Sequence, residues 1–394
     1  MKKLKVILIS TLCISLLSGC APKSKTIEPV EQGEPKSYRS IAYVTVPASD
    51  NWRWIGNDEN GNITSDVDTD YVTHINFAFG MLEAYQYEDD KTKEPLKDGD
   101  IVSKEAYKNP EDNKYHYQVT LNGWIEEMQK TVEGGEYLKA LVALKEQKPD
   151  LKVLLSIGGW DSDGFCYMAH TKEGRTEFIE SAISIIHEYG IDGIDIDWEY
   201  PSVDWGVIAA CDDCEEDAKK LLIEFREALD KEFPDTHKLL TIASGASTPW
   251  VDEETFKVLD YMNVMCYDFD SGSGQAQADL ERSEGFMIDH LLMVGDTPEN
   301  RSKINLGVPF YNEGGPYLVP YHKGWDGHID TSPEILVEKM NWVKEYGYGG
   351  AFYWAYSMDV YESDVSNPDD PEIKILQRTV YKELNKEYND KYNK

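Results

Sequence analysis

The sequence predicts an α/β protein of the (β/α)8 TIM-barrel class. Three observations carry that expectation. Short β-branched runs recur eight times, amphipathic helical patterns separate them, and chemically unusual residues collect at the ends of five of the runs. Strands that alternate with helices imply parallel pairing, and eight such units imply a closed barrel with its chemistry at the C-terminal strand ends. At 394 residues and 41% hydrophobic, the chain is long enough to bury a core of that size.

The eight runs are residues 41–46, 74–79, 152–157, 193–198, 239–244, 261–265, 304–309 and 350–354. Residues 175–189 place Phe178, Ala182, Ile185, Ile186 and Tyr189 at helical spacing and stop at Gly190, a left-handed helix terminator. Residues 217–233 put Leu221, Leu222, Phe225 and Leu229 on one side. Thr331 to Glu334 reads as a capping sequence before a helix at 335–346. Two regions exceed the repeat. The polar, Tyr-rich segment 83–120 reads as an insertion, a hairpin excursion over the barrel mouth, and the charged segment 380–394 reads as a frayed helix. Only 311–331 precedes the last helix, so no large insertion separates strands seven and eight. The barrel domain is expected over 38–385, with 386–394 as a tail.

The N-terminus addresses the chain. Lys2, Lys3 and Lys5 precede an apolar run from Val6 to Leu17, too short to span a bilayer and typical of a signal peptide over 1–19. It ends in Leu17-Ser18-Gly19-Cys20, which resembles a bacterial lipoprotein box and implies a lipid on Cys20 and a membrane-anchored, extracytoplasmic protein. The competing reading is an ordinary secretory signal with an incidental Cys. Residues 20–37, rich in Pro, Lys, Ser and Glu, read as a flexible stalk. The formal charge is −34, and −37 once 1–19 and their three Lys are removed. Such a surface repels nucleic acid and anionic lipid, so no nucleic-acid partner is expected, and the chain is expected to be a monomer. Outside the cytoplasm, Cys166 is expected to pair with Cys211 or Cys214, with a Cys211–Cys214 bridge as the rival. Cys266 reads as a small buried hydrophobe.

The most specific stretch is Asp192-Gly193-Ile194-Asp195-Ile196-Asp197-Trp198-Glu199-Tyr200-Pro201. Side chains alternate along a strand, so Asp195, Asp197 and Glu199 point the same way. Three acids in one column repel each other, and burying each one charged costs several kcal/mol. Shared protons relieve this and leave one acid neutral near pH 7. A neutral carboxylic acid beside an ionised one is the equipment for glycosidic cleavage. The bland reading puts the acids on a solvent face, but both faces of a barrel strand are covered. A metal site is the other reading, yet Ile194, Ile196 and Trp198 argue against the loop that an EF-hand needs. No metal is expected.

Asp192-x-x-Asp195-x-Asp197-x-Glu199 resembles the DxxDxDxE signature of family 18 glycoside hydrolases, the chitinase family. Ser156-x-Gly158-Gly159 is similar to that family's SxGG motif, Met265-x-Tyr267-Asp268 to its MxYD motif, and Trp354 falls where the family has a Trp beneath the sugar. The resemblance implies a single catalytic barrel and retaining, substrate-assisted hydrolysis of β-1,4-linked N-acetylglucosamine in chitin or another such glycan, without a cofactor. It implies Glu199 as general acid and base, Asp197 and Asp195 as a proton-sharing pair, and Tyr267 as hydrogen-bond donor to the acetamide carbonyl. Ser156 would support the acids, and Asp192, off the column's period, reads as structural. Trp354, Asp268, Met265, Tyr311, Trp160, Tyr43 and Phe79 are the substrate-binding candidates. Trp52, Trp54, Trp205, Trp250 and Trp325 also fall in loops, where core packing competes with sugar stacking. Many processive members carry an α+β insertion between strands seven and eight; its absence implies a shallower cleft and endo-acting cleavage. Two alternatives stay open: an endo-β-N-acetylglucosaminidase on N-glycans or peptidoglycan, and a non-catalytic lectin.

Overall fold

A computed structural model gives the fold, and it describes residues 26–31, 33–45, 54–89, 92–95, 115–121, 134–160, 162, 164–201, 213–269, 276–314, 317–323, 329–367 and 370–392. Eight parallel strands form the barrel: β1 Arg39–Thr45, β2 His74–Asp89, β3 Lys152–Gly158, β4 Gly193–Asp197, β5 Leu239–Gly245, β6 Tyr261–Met265, β7 Ile304–Pro309 and β8 Gly350–Trp354. Each pairs with its neighbours in sequence, and β8 closes on β1 with Ile41 opposite Phe352. The barrel expected from the sequence is the barrel found.

The strand chemistry explains the two-layered core. On β4, Ile194 and Ile196 point outward, with Trp198 after them, into the apolar layer under the helices, where Trp198 stacks on Phe165 at 5.3 Å. The inward layer holds Ile41, Tyr43, Ala243, Tyr261, Met265 and Phe352. Both faces are covered, so apolar residues fill both, as a parallel barrel requires. The helices that cover it start at side-chain caps. Thr171 caps Lys172–Tyr189, Asp279 caps Leu280–Val294, and Ser332, rather than Thr331, caps Pro333–Glu345. Gly190 ends its helix in the left-handed conformation, with φ 69°.

Three expectations are corrected, and Cys166 takes one of its two expected partners. Within 83–120, β2 runs on to Asp89 and pairs antiparallel with Tyr115–Thr120. That returning strand is tied to the outer helix by Tyr117 N donating to Glu177 (3.1 Å) and Val119 N to Ser181 (2.9 Å), so it lies along the barrel wall and not over the mouth. Residues 26–37 are not all free linker: Val30 N bonds Glu345 O, and Glu28 O accepts from Arg301. The helix Ile375–Tyr392 runs through the 385/386 boundary because Leu376, Val380 and Leu384 bury one face, and Asn385 accepts from Tyr38 N at 2.8 Å. The bridge is Cys166–Cys214, joining the helix Phe165–His170 to Cys214–Glu232, which leaves no Cys214 for a Cys211 partner. Cys211 and Cys20 lie outside the described residues, as do Trp52, Trp205 and Trp325. Burial pushes the Cys266 thiol up to about 12, so it is an inert core residue. Asp192 takes an ion pair from Lys145 (2.6 Å) and accepts from Val153 N, a structural role at the start of β4.

Candidate active site

The acids stand at the C-terminal end of β4. Period two aims Asp195 and Asp197 into the barrel, and Glu199 follows directly after. Ser156 and Thr241 lie opposite Asp195 in the parallel register of β3 and β5. Their hydroxyls donate to it, Ser156 to Oδ2 at 2.8 Å and Thr241 to Oδ1 at 2.5 Å, and the Tyr43 hydroxyl adds a third at 2.8 Å. Burial raises the Asp195 carboxyl, while these donors pull it back. Asp197 is raised well above the ordinary carboxylate range, by burial first, then by the charges of Glu199 and Asp195. Its Oδ1 is buried with no hydrogen-bond partner among the described residues. Three donors suit an ionised Asp195 and nothing comparable solvates Asp197, so the proton of this pair rests on Asp197.

Glu199 is 9% exposed, and the Tyr200 hydroxyl hydrogen-bonds to it. The Tyr200 ring lies edge-on to Trp160 at 6.5 Å, and Trp160 itself is 48% exposed at the end of β3. The backbone before Trp160 needs its two glycines. Gly158 has φ 124°, and a Cβ there would stand 2.1 Å from Asp197 O; Gly159 has φ 90°, and its Cβ would meet the Phe79 ring at 2.6 Å.

Tyr267, just past β6, is held protonated far above the ordinary phenol range by burial first, then by Asp197, Asp268 and Glu199. It remains a donor next to the acids. Asp268 is exposed, in the left-handed region at φ 59°, and fixed by two bonds: its N–H donates to Gln277 Oε1 and its Oδ1 accepts from the Tyr311 hydroxyl at 2.7 Å. Trp354, at the end of β8, stacks on Phe79 at 5.4 Å and meets the Tyr43 ring edge-on at 6.0 Å. Cis peptide bonds occur at Ala78–Phe79, Glu199–Tyr200 and Trp354–Ala355, all at this end of the barrel.

The fold therefore brings Glu199, Asp197, Asp195, Tyr267, Asp268, Trp354, Phe79 and Trp160 to one barrel mouth. Three substrate-binding candidates sit behind it instead. Tyr43 and Tyr311 are buried with their hydroxyls engaged by Asp195 and Asp268, and Met265 packs in the inward core layer. Trp54 and Trp250 are core residues. Sequence reasoning missed Thr241, Tyr200 and Gln277. The signal for Thr241 was a polar residue inside an apolar strand run; Gln277 carried none, because it acts from a loop.

The described mouth thus holds a carboxyl raised well above the ordinary range, two further acids, a phenol donor and a flat aromatic floor. The family described as "Glycosyl hydrolases family 18" matches residues 49–318. Among curated relatives, "Probable chitinase 2" of Drosophila melanogaster is 26% identical over 373 residues, 84% of this chain and 68% of that protein. "Chitinase A1" of Niallia circulans is 29% identical over 80% of this chain, which spans only 46% of that protein. Among solved structures, the chitinase ChiA74 from Bacillus thuringiensis superposes with TM-score 0.59 at 21% identity, covering 89% of this chain and 70% of that one. A family 18 N-acetylglucosaminidase from Paenibacillus barengoltzii does so with TM-score 0.59 at 23% identity, covering 88% and 100%. These structural likenesses bear on the fold; the family match over residues 49–318 bears on descent, and by it this chain belongs to glycosyl hydrolase family 18, as a glycoside hydrolase.

Proposed function

We propose that the chain cleaves β-1,4-linked N-acetylglucosamine polymers or oligomers with retention at the anomeric carbon, as a chitinase does. The observation that carries this reading is the Asp195–Asp197–Glu199 cluster, in which burial and neighbouring charge raise Asp197, with the Tyr267 phenol beside it. Glu199, protonated in the substrate complex beside Asp197, gives its proton to the leaving glycosidic oxygen and becomes ionised. The acetamide carbonyl oxygen of the sugar attacks its own anomeric carbon, so no second enzyme carboxylate acts as nucleophile. Tyr267 donates to that carbonyl, and the unpartnered Asp197 Oδ1 accepts the acetamide N–H, whose positive character grows as the ring closes. Glu199, now ionised, takes a proton from the water that opens the ring. Trp354 gives the sugar's C–H face a flat apolar support, and the exposed Trp160 extends that support outward. The short hairpin Tyr311–Gly314 with Tyr317–Pro320 stands where a groove wall would rise, which favours endo-action in an open cleft. The run Leu17-Ser18-Gly19-Cys20 supports lipidation at Cys20 and display outside the cytoplasm.

The test is mass spectrometry of products from chito-oligosaccharides and from a high-mannose glycopeptide, with wild type and Glu199→Gln. Wild type should cleave the chito-oligosaccharides, and the variant should lose about a thousandfold or more in turnover while keeping fold and oligosaccharide binding. Cleavage confined to the glycopeptide core would replace the substrate named here. A Glu199→Gln enzyme that kept a few per cent of activity would remove Glu199 from its role.

A further inference from the structure

The interior of the barrel below the acids is not wholly apolar. Four side chains from β1, β7 and β6 form one continuous line of hydrogen bonds. Arg39 Nε donates to Asn305 Oδ1 at 3.0 Å, and Asn305 Nδ2 donates to Asn263 Oδ1 at 2.9 Å. Asn263 Nδ2 donates to the Tyr43 hydroxyl at 3.1 Å, and that hydroxyl donates to Asp195 Oδ2 at 2.8 Å. Asn263 and Asn305 are fully buried, and Tyr43 is 2% exposed. The Arg39 guanidinium lies over the Tyr261 ring at 4.8 Å and also donates to Ser302 O.

The direction of this line is fixed at its far end. A guanidinium has donors only, so Asn305 must present its oxygen to Arg39 and its NH2 to Asn263. Asn263 must then present oxygen to Asn305 and NH2 to Tyr43. The Tyr43 oxygen accepts that bond, which leaves its proton for Asp195. All four dipoles point the same way, from a cation toward a carboxylate, and aligned buried hydrogen bonds polarise one another. Buried polar groups in such a core need their partners, so breaking one link exposes the next.

We infer that Arg39, Asn305 and Asn263 are positioning residues for the acid pair, a directed relay along the barrel axis that holds the Tyr43 hydroxyl as a donor, keeps Asp195 anionic and so leaves the shared proton on Asp197. None of the three touches substrate. The inference rests on the glycoside hydrolysis proposed above, since the acid pair matters through that reaction.

The test is a cycle of three variants, Asn263→Leu, Tyr43→Phe and the double variant, assayed on chito-oligosaccharides across pH. Asn263→Leu should lower kcat about tenfold with KM little changed, and move the acidic limb of the kcat profile upward, because an Asp195 anion that has lost its donor is easier to protonate. In the Tyr43→Phe background the same substitution should have no further effect on kcat, since the relay acts only through that hydroxyl. Asn305→Leu, one link further away, should repeat the direction at smaller size and serves if Asn263→Leu does not fold. Losses that multiply in the double variant, or an unmoved acidic limb, would overturn the relay and leave Asn263 as packing. Carboxyl 13C titration of the substrate-free protein separates this from the choice of substrate. If wild type cleaves no N-acetylglucosamine oligomer, the functional reading fails, yet an upward shift of the acid-pair titration in Asn263→Leu would still support the relay, and an unshifted one would reject it.

Discussion

Asp195 is the anchor of the acid column. It takes three hydroxyl donors and lies inward of Asp197, so its negative charge helps to raise Asp197. Asp195→Asn keeps the shape and removes the charge. Hydrogen bonds to a charged acceptor contribute about 1.5–3 kcal/mol each, but burying that charge costs several kcal/mol, so the two losses oppose and the fold should tolerate the change. Catalysis should not. Asp197 then holds its proton less tightly, the basic limb of the kcat profile should move down, and kcat should fall about 10–100-fold. An unmoved limb would show that Asp195 does not set the charge on Asp197. At this scale the acids and Tyr267 were legible, because their spacing in the chain is their spacing on a strand. Thr241 and Asn263 were not, because they reach Asp195 and Tyr43 across strands that only the closed barrel brings together.

At the scale of elements, all eight barrel strands were readable from their β-branched runs, and the ends of β6, β7 and β8 match to the residue. The run at 74–79 was cut short because the β2 strand leaves the barrel at Gly80 and goes on as half of a hairpin, where its composition turns polar. Partners such as Cys166 and Cys214 were unreadable as a pair, since spacing alone left Cys211 equally available. That bridge joins two outer helices across 48 residues, with Cα atoms 5.5 Å apart. A loop of that length, closed in the unfolded chain, corresponds to about 4 kcal/mol in the chain-entropy treatment. Cys166→Ala with Cys214→Ala should therefore lower the urea midpoint and raise the m-value, since the uncrosslinked denatured chain exposes more surface, with kcat retained because the bridge lies in the outer layer and not at the mouth. A fall in kcat at temperatures where the variant is fully folded would mean that the bridge also holds the Trp160 end of β3.

For the whole molecule, electrostatic effects act on stability in opposite directions as pH falls. The net charge of −34 repels itself, and acid weakens that repulsion. Against it stands His290, 2% exposed on the helix Leu280–Val294, whose Nδ1 faces Phe286 O at 2.9 Å and whose Nε2 faces the Ser244 hydroxyl of β5 at 3.0 Å. A carbonyl only accepts, so Nδ1 carries the proton and Nε2 is the acceptor, a neutral ring. Burial lowers the group to about 4 from its ordinary 6.5. The unfolded chain therefore binds the proton more readily than the folded one, and the stability due to this site is full above pH 6.5 and lost as pH falls toward 4. Between pH 7 and 5 that is about 2 kcal/mol. Exposed carboxylates and histidines begin to take up protons in the same interval, which lessens the repulsion, and Asp359, raised to about 6 by burial, binds its proton more readily folded than unfolded, so both oppose the histidine loss. Unfolding free energies in urea should drop from pH 7 to 5 in wild type, and His290→Gln should lessen that drop by about 2 kcal/mol while keeping the separate loss due to buried His74, which is lowered to about 3. Added salt screens the surface repulsion but not a buried ring, so the drop should persist at high ionic strength. A drop of the same size in His290→Gln as in wild type, or one that salt abolished, would remove His290 from the acid sensitivity.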